Sequence, residues 1–125
     1  MKTTLLCLFL CFALAFAAAA ADVSGKWSGT FAPDNGDNGS AYVILKQNGA
    51  TITGSGGPDE NAQWPGLQGK VDGNQVTFEV KNPDDGMVYK CSLSLSGDHL
   101  DGEAVFTTPD GQSGKAKLNL TKVKE

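Results

Sequence analysis

Turns constrain this chain more than any other feature. Asn48-Gly49 and Asp72-Gly73 carry the Asx-Gly chemistry of two-residue β-hairpin connections, and Ser96-Gly97-Asp98 is a short third one. Each lies between segments of alternating or β-branched residues, so each joins two antiparallel strands. No window beyond residue 21 sustains a helical period. Eight strands are predicted, at 26–31, 40–47, 50–55, 66–71, 75–81, 87–95, 99–106 and 113–121. The last is the clearest, with Ala116, Leu118 and Leu120 on one face and Lys115, Lys117 and Asn119 on the other. The fifth sets Val76, Phe78 and Val80 against Thr77, Glu79 and Lys81 in the same way. The second contains Tyr42-Val43-Ile44-Leu45 and does not alternate, which leaves its inward face open.

Short connections make sequence neighbours antiparallel neighbours, and the result is a meander. The connections of a meander alternate between two ends. Tight turns therefore gather at one end and the longer segments 32–39, 56–65, 82–86 and 107–112 at the other. An even strand count leaves the eighth strand antiparallel to the first, ready to pair and close a barrel. Gly29, Gly54, Gly69 and Gly102 share parity with the apolar residues of their strands, and a missing side chain there lets a small barrel bend tightly. The predicted fold is all-β: an eight-stranded antiparallel up-and-down (meander) β-barrel. An open sandwich would need long Greek-key crossings that this spacing does not supply. The segments after Gly49, Gly73 and Gly97 resemble one another only as repeated solutions to one turn, not as solenoid units.

The barrel is assigned to residues 22–125 as a single domain, because residues 1–21 have another character. A short positive start containing Lys2 precedes an apolar run from Leu5 to Phe16, and Ala17 to Ala21 then supply small residues. That pattern reads as a secretory signal peptide cut after Ala19-Ala20-Ala21, and the apolar run is too short to span a bilayer comfortably. The expected localisation is secreted or periplasmic, with no membrane span after cleavage. Cys7 and Cys11 fall inside the signal, so Cys91 is the one thiol beyond it. No disulfide within that domain can form, and Cys91 is expected to behave as a small buried hydrophobe.

Composition narrows the function by exclusion. All ten basic residues are lysines, so the chain has no Arg. Nine of them remain beyond residue 21 against all 14 acidic residues, a net charge of −5. An acidic chain without Arg is a poor partner for nucleic acid, whose phosphates must be neutralised by Lys and Arg. A single histidine, His99, sits at a turn between Asp98 and Asp101, where a solvated residue is expected. There is no Gly-x-Ser-x-Gly elbow and no apolar site around a carboxylate pair, so no catalytic residue is assigned and the protein is expected not to be an enzyme. The run Asp34-Asn35-Gly36-Asp37-Asn38-Gly39 departs from a calcium loop: Gly36 stands at a ligand position and Leu45 where a bidentate Glu is required. Turn chemistry accounts for it, and neither a metal nor a cofactor is expected. Asn38-Gly39-Ser40 and Asn119-Leu120-Thr121 match the N-glycosylation sequon.

Val23-Ser24-Gly25-Lys26-Trp27, opening the first strand directly after the signal, resembles the Gly-x-Trp start of avidins and lipocalins. Both groups are secreted eight-stranded meander barrels that bind small ligands, and the resemblance implies that fold and that kind of function here. It also implies that Trp27 plugs the closed end. The lipocalin partner of that Trp is an Arg near the last strand, and here only Lys122 or Lys124 is available. Gly29 stands where avidins carry a biotin-contacting Asn, so biotin is not an expected ligand.

The opposite end is where a ligand would enter. All five prolines fall in the longer connections, with Asp34, Asp37, Asp59, Glu60, Asp84, Asp85 and Asp110 and no Lys. So much negative charge repels fatty-acid or phosphate ligands. Inward parity places Phe31, Tyr89 and Phe106 in the layer nearest those loops, and Trp64 is read as a lid in the longest of them. Trp64, Tyr89, Phe31 and Phe106 are thus the candidate ligand-binding residues, suited to a small neutral or cationic, flat or sugar-like molecule. The competing reading is a protein-interaction barrel, such as a protease inhibitor or envelope accessory protein. A cavity of roughly 300 Å3 or more at the long-loop end is the mark of a drug-sized ligand site. A filled interior with an exposed apolar patch is the mark of a protein partner.

Overall fold

The turn glycines set the frame. In the computed structural model, which describes residues 22–124, Gly49, Gly73 and Gly97 have φ of 65°, 61° and 60°, and no residue other than glycine has a positive φ. Each glycine therefore takes the first central position of a two-residue turn, as type II′ hairpins require. The turn pairs are Gly49-Ala50, Gly73-Asn74 and Gly97-Asp98, so Asn48 and Asp72 are the last residues of their strands rather than turn residues. The predicted signal segment 1–21 lies outside the described residues.

The strands are β1 (Gly25–Pro33), β2 (Gly39–Asn48), β3 (Thr51–Asp59), β4 (Ala62–Asp72), β5 (Gln75–Lys81), β6 (Val88–Ser96), β7 (His99–Thr107) and β8 (Ser113–Lys122). Among the described residues there is no helix. Every strand pairs antiparallel with its sequence neighbours, and β1 pairs with β8 from Trp27↔Lys122 to Pro33↔Ala116, which closes the barrel in meander order. The predicted fold class is the observed one.

Closure depends on close backbone contact at glycines, the four picked out by parity and Gly57, whose Cβ would lie 1.9 Å from the Ala62 oxygen. A Cβ built on Gly29 would lie 1.7 Å from the Asn119 carbonyl oxygen, and one on Gly54 1.9 Å from that of Ile44. On Gly69 and Gly102 it would meet the Thr77 and Ser92 oxygens at 1.9 Å and 2.1 Å. No L side chain fits at such separations, so these positions let each strand coil across its neighbour. In the second strand Val43 and Leu45 point inward and Tyr42 and Ile44 outward; Ile44 is half-buried opposite Lys26 on β1.

One prediction is corrected. Segment 56–65 is not a loop: β3 and β4 run on through it and turn over the two residues Glu60 and Asn61. Two register shifts, at Gly54/Ser55 and between Gly56 and Asp59, absorb the misfit. Pro65 donates no ladder hydrogen bond, and Gly66, at φ 84°, is the extra residue that a bulge accommodates. Reading Pro and Gly as strand breakers missed a bulged strand. The same end carries four Pro-Asp pairs, Pro33-Asp34, Pro58-Asp59, Pro83-Asp84 and Pro109-Asp110, one at or beside each connection. Pro33, Pro58 and Pro65 belong to strands, not loops.

The closed end is sealed by Trp27, 1% exposed, together with buried Val23, Ile52, Val76, Leu100 and Leu120. The Trp27 Nε1–H donates to the Val23 carbonyl at 3.0 Å, and the Val23 N–H donates to Gln47 Oε1 at 2.8 Å. Lys122 Nζ stands 5.8 Å from the Trp27 ring centroid, close enough for a cation–π contact. Trp27→Ala is expected to destabilise the protein by about 3–5 kcal/mol in urea titrations, the cost of a large buried truncation. A loss below about 1 kcal/mol would remove Trp27 from the role of plug. Gly29→Ala should lower the urea midpoint more than Gly49→Ala, whose added Cβ meets nothing within 4 Å although its φ is strained.

Candidate functional site

The inward parity of β1, β6 and β7, and the bulge at Gly66 that shifts β4 by one residue, bring all four predicted aromatic residues together near the mouth. Tyr89 is the hub. Trp64 stacks on it at 5.3 Å between centroids and 15° between planes. Phe31 meets it edge-on at 5.9 Å, and Phe106 lies tilted at 6.3 Å. Phe31 and Phe106 also approach each other to 6.0 Å. All four side chains are half-buried.

They differ in what they face. A cavity of about 160 Å3 opens here, walled by Phe31 of β1, Ala41 and Val43 of β2, Trp64 of β4, Phe78 and Val80 of β5, Tyr89 and Cys91 of β6, and Leu118 of β8. Ser40, Gly56, Gly57 and Pro58 complete it, and no lining residue is charged. Phe106 is not among these residues; its ring sits over Gly114, where an added Cβ would come within 2.5 Å of Cζ. Phe106 thus backs the wall behind Phe31 and Tyr89 and does not line the cavity. Trp64 belongs to β4 and is a wall held by Tyr89, not a lid on a loop.

The β3–β4 tip is pinned to the outer face beside the cavity. The Lys26 ammonium donates to Glu60 Oε2 at 3.1 Å and the Tyr42 hydroxyl to the same oxygen at 3.2 Å. Gln63 Nε2 donates to the carbonyls of Tyr42 and Asp59, both at 2.9 Å, and the Ser40 hydroxyl donates to Pro58 O at 2.6 Å. Hydrogen bonds from Lys26 and then Tyr42 hold the Glu60 carboxyl below the usual carboxylate range. Turn geometry at the tip comes from Asp59, whose Oδ1 accepts the N–H groups of Asn61 at 2.8 Å and Ala62 at 3.0 Å. Two other rim acids serve turns as well: Asp85 Oδ1 accepts the Met87 N–H at 2.9 Å, and Thr108 donates to Asp110, which lowers that carboxyl.

Burial acts on the two titratable groups of the wall. It raises the Tyr89 hydroxyl, with a smaller contribution from the Asp85 charge, so the phenol stays neutral. Cys91 is 5% exposed, and burial pushes its thiol up to about 12. That places the thiol among the core hydrophobes, as expected from its lone position in the domain. His99 is exposed, with Nδ1 3.3 Å from the Thr121 hydroxyl.

Sequence reasoning missed the cavity floor. Val43 was hidden by the non-alternating run in β2, and Gly56 and Gly57 by the assignment of 56–65 to a loop. The parity signal was present: Ile52, Gly54 and Gly56 follow one face once β3 is extended.

Comparison with known proteins adds the fold alone. No protein-family model matches the chain, and no curated protein does. A solved redesigned β-barrel superimposes with a TM-score of 0.58 at 15% identity, covering 82% of this chain and 92% of its own. The class defined so far is the closed eight-stranded antiparallel β-barrel with a small apolar cavity at one end.

The buried thiol makes a pH prediction. Its folded pKa lies above its unfolded value near 9, so the Cys91 contribution is fully present below about pH 9 and is lost as pH rises toward 12. Stability relative to Cys91→Ala should fall by about 1.4 kcal/mol per pH unit across that window. Urea midpoints of both proteins from pH 7 to 11 check this, since the other titrating groups cancel in the difference.

Proposed function

We propose that this protein is a secreted, non-enzymatic β-barrel that binds a small molecule in the mouth cavity, with Trp64, Tyr89 and Phe31 as its aromatic walls. One observation carries the reading: an uncharged, aromatic-walled cavity of about 160 Å3 at the end opposite the plugged base. The pocket is open to solvent and almost wholly apolar, so covering its walls removes apolar surface from water. A ligand that fills it also gains packing contacts. The volume falls short of the roughly 300 Å3 of drug-sized sites, so the guest is smaller than the sugar-like molecules considered from sequence.

Two further features support the reading. The Gly25-Lys26-Trp27 opening, with Trp27 buried and Lys122 over its ring, resembles the closed end of avidin and lipocalin barrels, which bind small ligands at the other end. The leader of residues 1–21 supports export to the oxidising side of a membrane, where the free thiol is protected by its burial.

Trp27→Phe protein, titrated with small neutral and cationic molecules, isolates the Trp64 fluorescence. At least one class should shift that signal, and Trp64→Ala should weaken its binding by about 1–3 kcal/mol, the scale of one aromatic contact. No shift with any compound, combined with early melting of Trp64→Ala, would make the mouth a packed core and favour a protein partner.

A further inference from the structure

Gly56 is unlike the glycines at which neighbouring strands touch. At Gly29, Gly54, Gly69 and Gly102 a Cβ would collide with a neighbouring strand's carbonyl oxygen at 1.7–2.1 Å. At Gly56 it would sit 3.6 Å from Leu67 Cδ1, 3.7 Å from Val80 Cγ1 and 3.8 Å from Val43 Cγ2, which is ordinary van der Waals contact. Its φ also lies outside the positive region. Backbone geometry therefore does not require glycine here. The missing side chain leaves room, and that room is the floor of the mouth cavity, which Gly56, Val43 and Val80 line together.

Resting on the ligand-binding reading above, we infer that Gly56 sets the size limit of the site and that its ligand is an uncharged molecule of one aromatic ring. Size argues for a single ring: an apolar cavity of roughly 150 Å3 in another protein accommodates benzene, and this one is about 160 Å3. Charge argues for neutrality. No lining residue is charged, so a buried carboxylate or ammonium would find no counter-ion. An anion would also approach past Asp34, Asp37, Asp84 and Asp85 on the rim loops. Planarity suits walls built from Phe31, Trp64 and Tyr89.

The test uses the purified wild-type protein with toluene, benzoate and biphenyl as probes, followed through the amide resonances of Gly56, Cys91 and Tyr89. Toluene should shift these resonances saturably. Benzoate, equal in ring and differing in charge, and biphenyl, too long for the cavity, should each bind at least about tenfold more weakly, a difference of 1.4 kcal/mol. Gly56→Ala should fold with an unchanged or higher melting point and bind toluene more weakly than wild type. Gly56→Leu should lose toluene altogether. Equal toluene binding by wild type and both variants would overturn the role of Gly56. Benzoate or biphenyl binding as well as toluene would overturn the ligand class and leave the ligand-binding reading standing. Absence of toluene binding, with another compound shifting the Trp64 fluorescence, does the same. Only silence of every compound in both experiments removes the binding reading itself.

Discussion

The barrel exists because its strands can touch. A closed sheet of eight strands must coil tightly, and at Gly29, Gly54, Gly57, Gly69 and Gly102 the backbone of one strand lies where a Cβ would otherwise be. Those contacts let β1 meet β8, and with that pairing the sheet has no free edge. Everything downstream follows. The inward side chains fill the base around Trp27, and the end of β8 is tied there by hydrogen bonds from Lys122 N–H to Asp98 O and from Val123 N–H to Lys26 O, both at 2.8 Å. No buried polar side chain is left without a partner among the described residues.

The two ends then diverge for a physical reason. At the base, type II′ turns of two residues hold the strands close, and bulky residues meet across a narrow space. Toward the mouth, Pro-Asp connections of five or six residues join three of the four hairpins, and the fourth extends as the bulged β3–β4 arm. Small residues gather on the inward side of that arm and its neighbour: Ala41, Gly56 and Gly57. The aromatic cluster centred on Tyr89 spans the remaining width without filling it. A cavity results where small and aromatic walls face each other. The charged groups stay outside it, in turns and in the Glu60 contact to Lys26.

Much of this was legible in the chain. Strand number, order, closure and the sidedness of β5 and β8 follow from period-two alternation and turn glycines, because a one-residue slip would turn every apolar residue outward. Four of the coil-permitting glycines were visible by parity. Parity also gathered Phe31, Tyr89 and Phe106 to one end, whereas Trp64 was placed there by its position between the strands. What sequence could not show was which of two roles a Pro or Gly plays. Pro65-Gly66 reads equally as the end of a loop or as a bulge, and only the partner strand decides. From that single ambiguity came the misplacement of Trp64 on a lid and the loss of Gly56 from the site. Phe106 is a different case: its parity was right, but the ring turns onto the bare backbone of Gly114, a pocket that no periodicity reveals.

Diffraction from crystals held under xenon pressure tests most directly whether the mouth holds an open apolar cavity. Xenon is apolar and polarisable, and it occupies dry voids of this scale. A glycine-cornered barrel with an unfilled floor predicts a xenon site enclosed by Gly56, Val43, Phe78 and Val80, with Trp64 still stacked on Tyr89. An interior that takes up no xenon, with Phe31 or Trp64 rotated into the space beside Gly56, would contradict it.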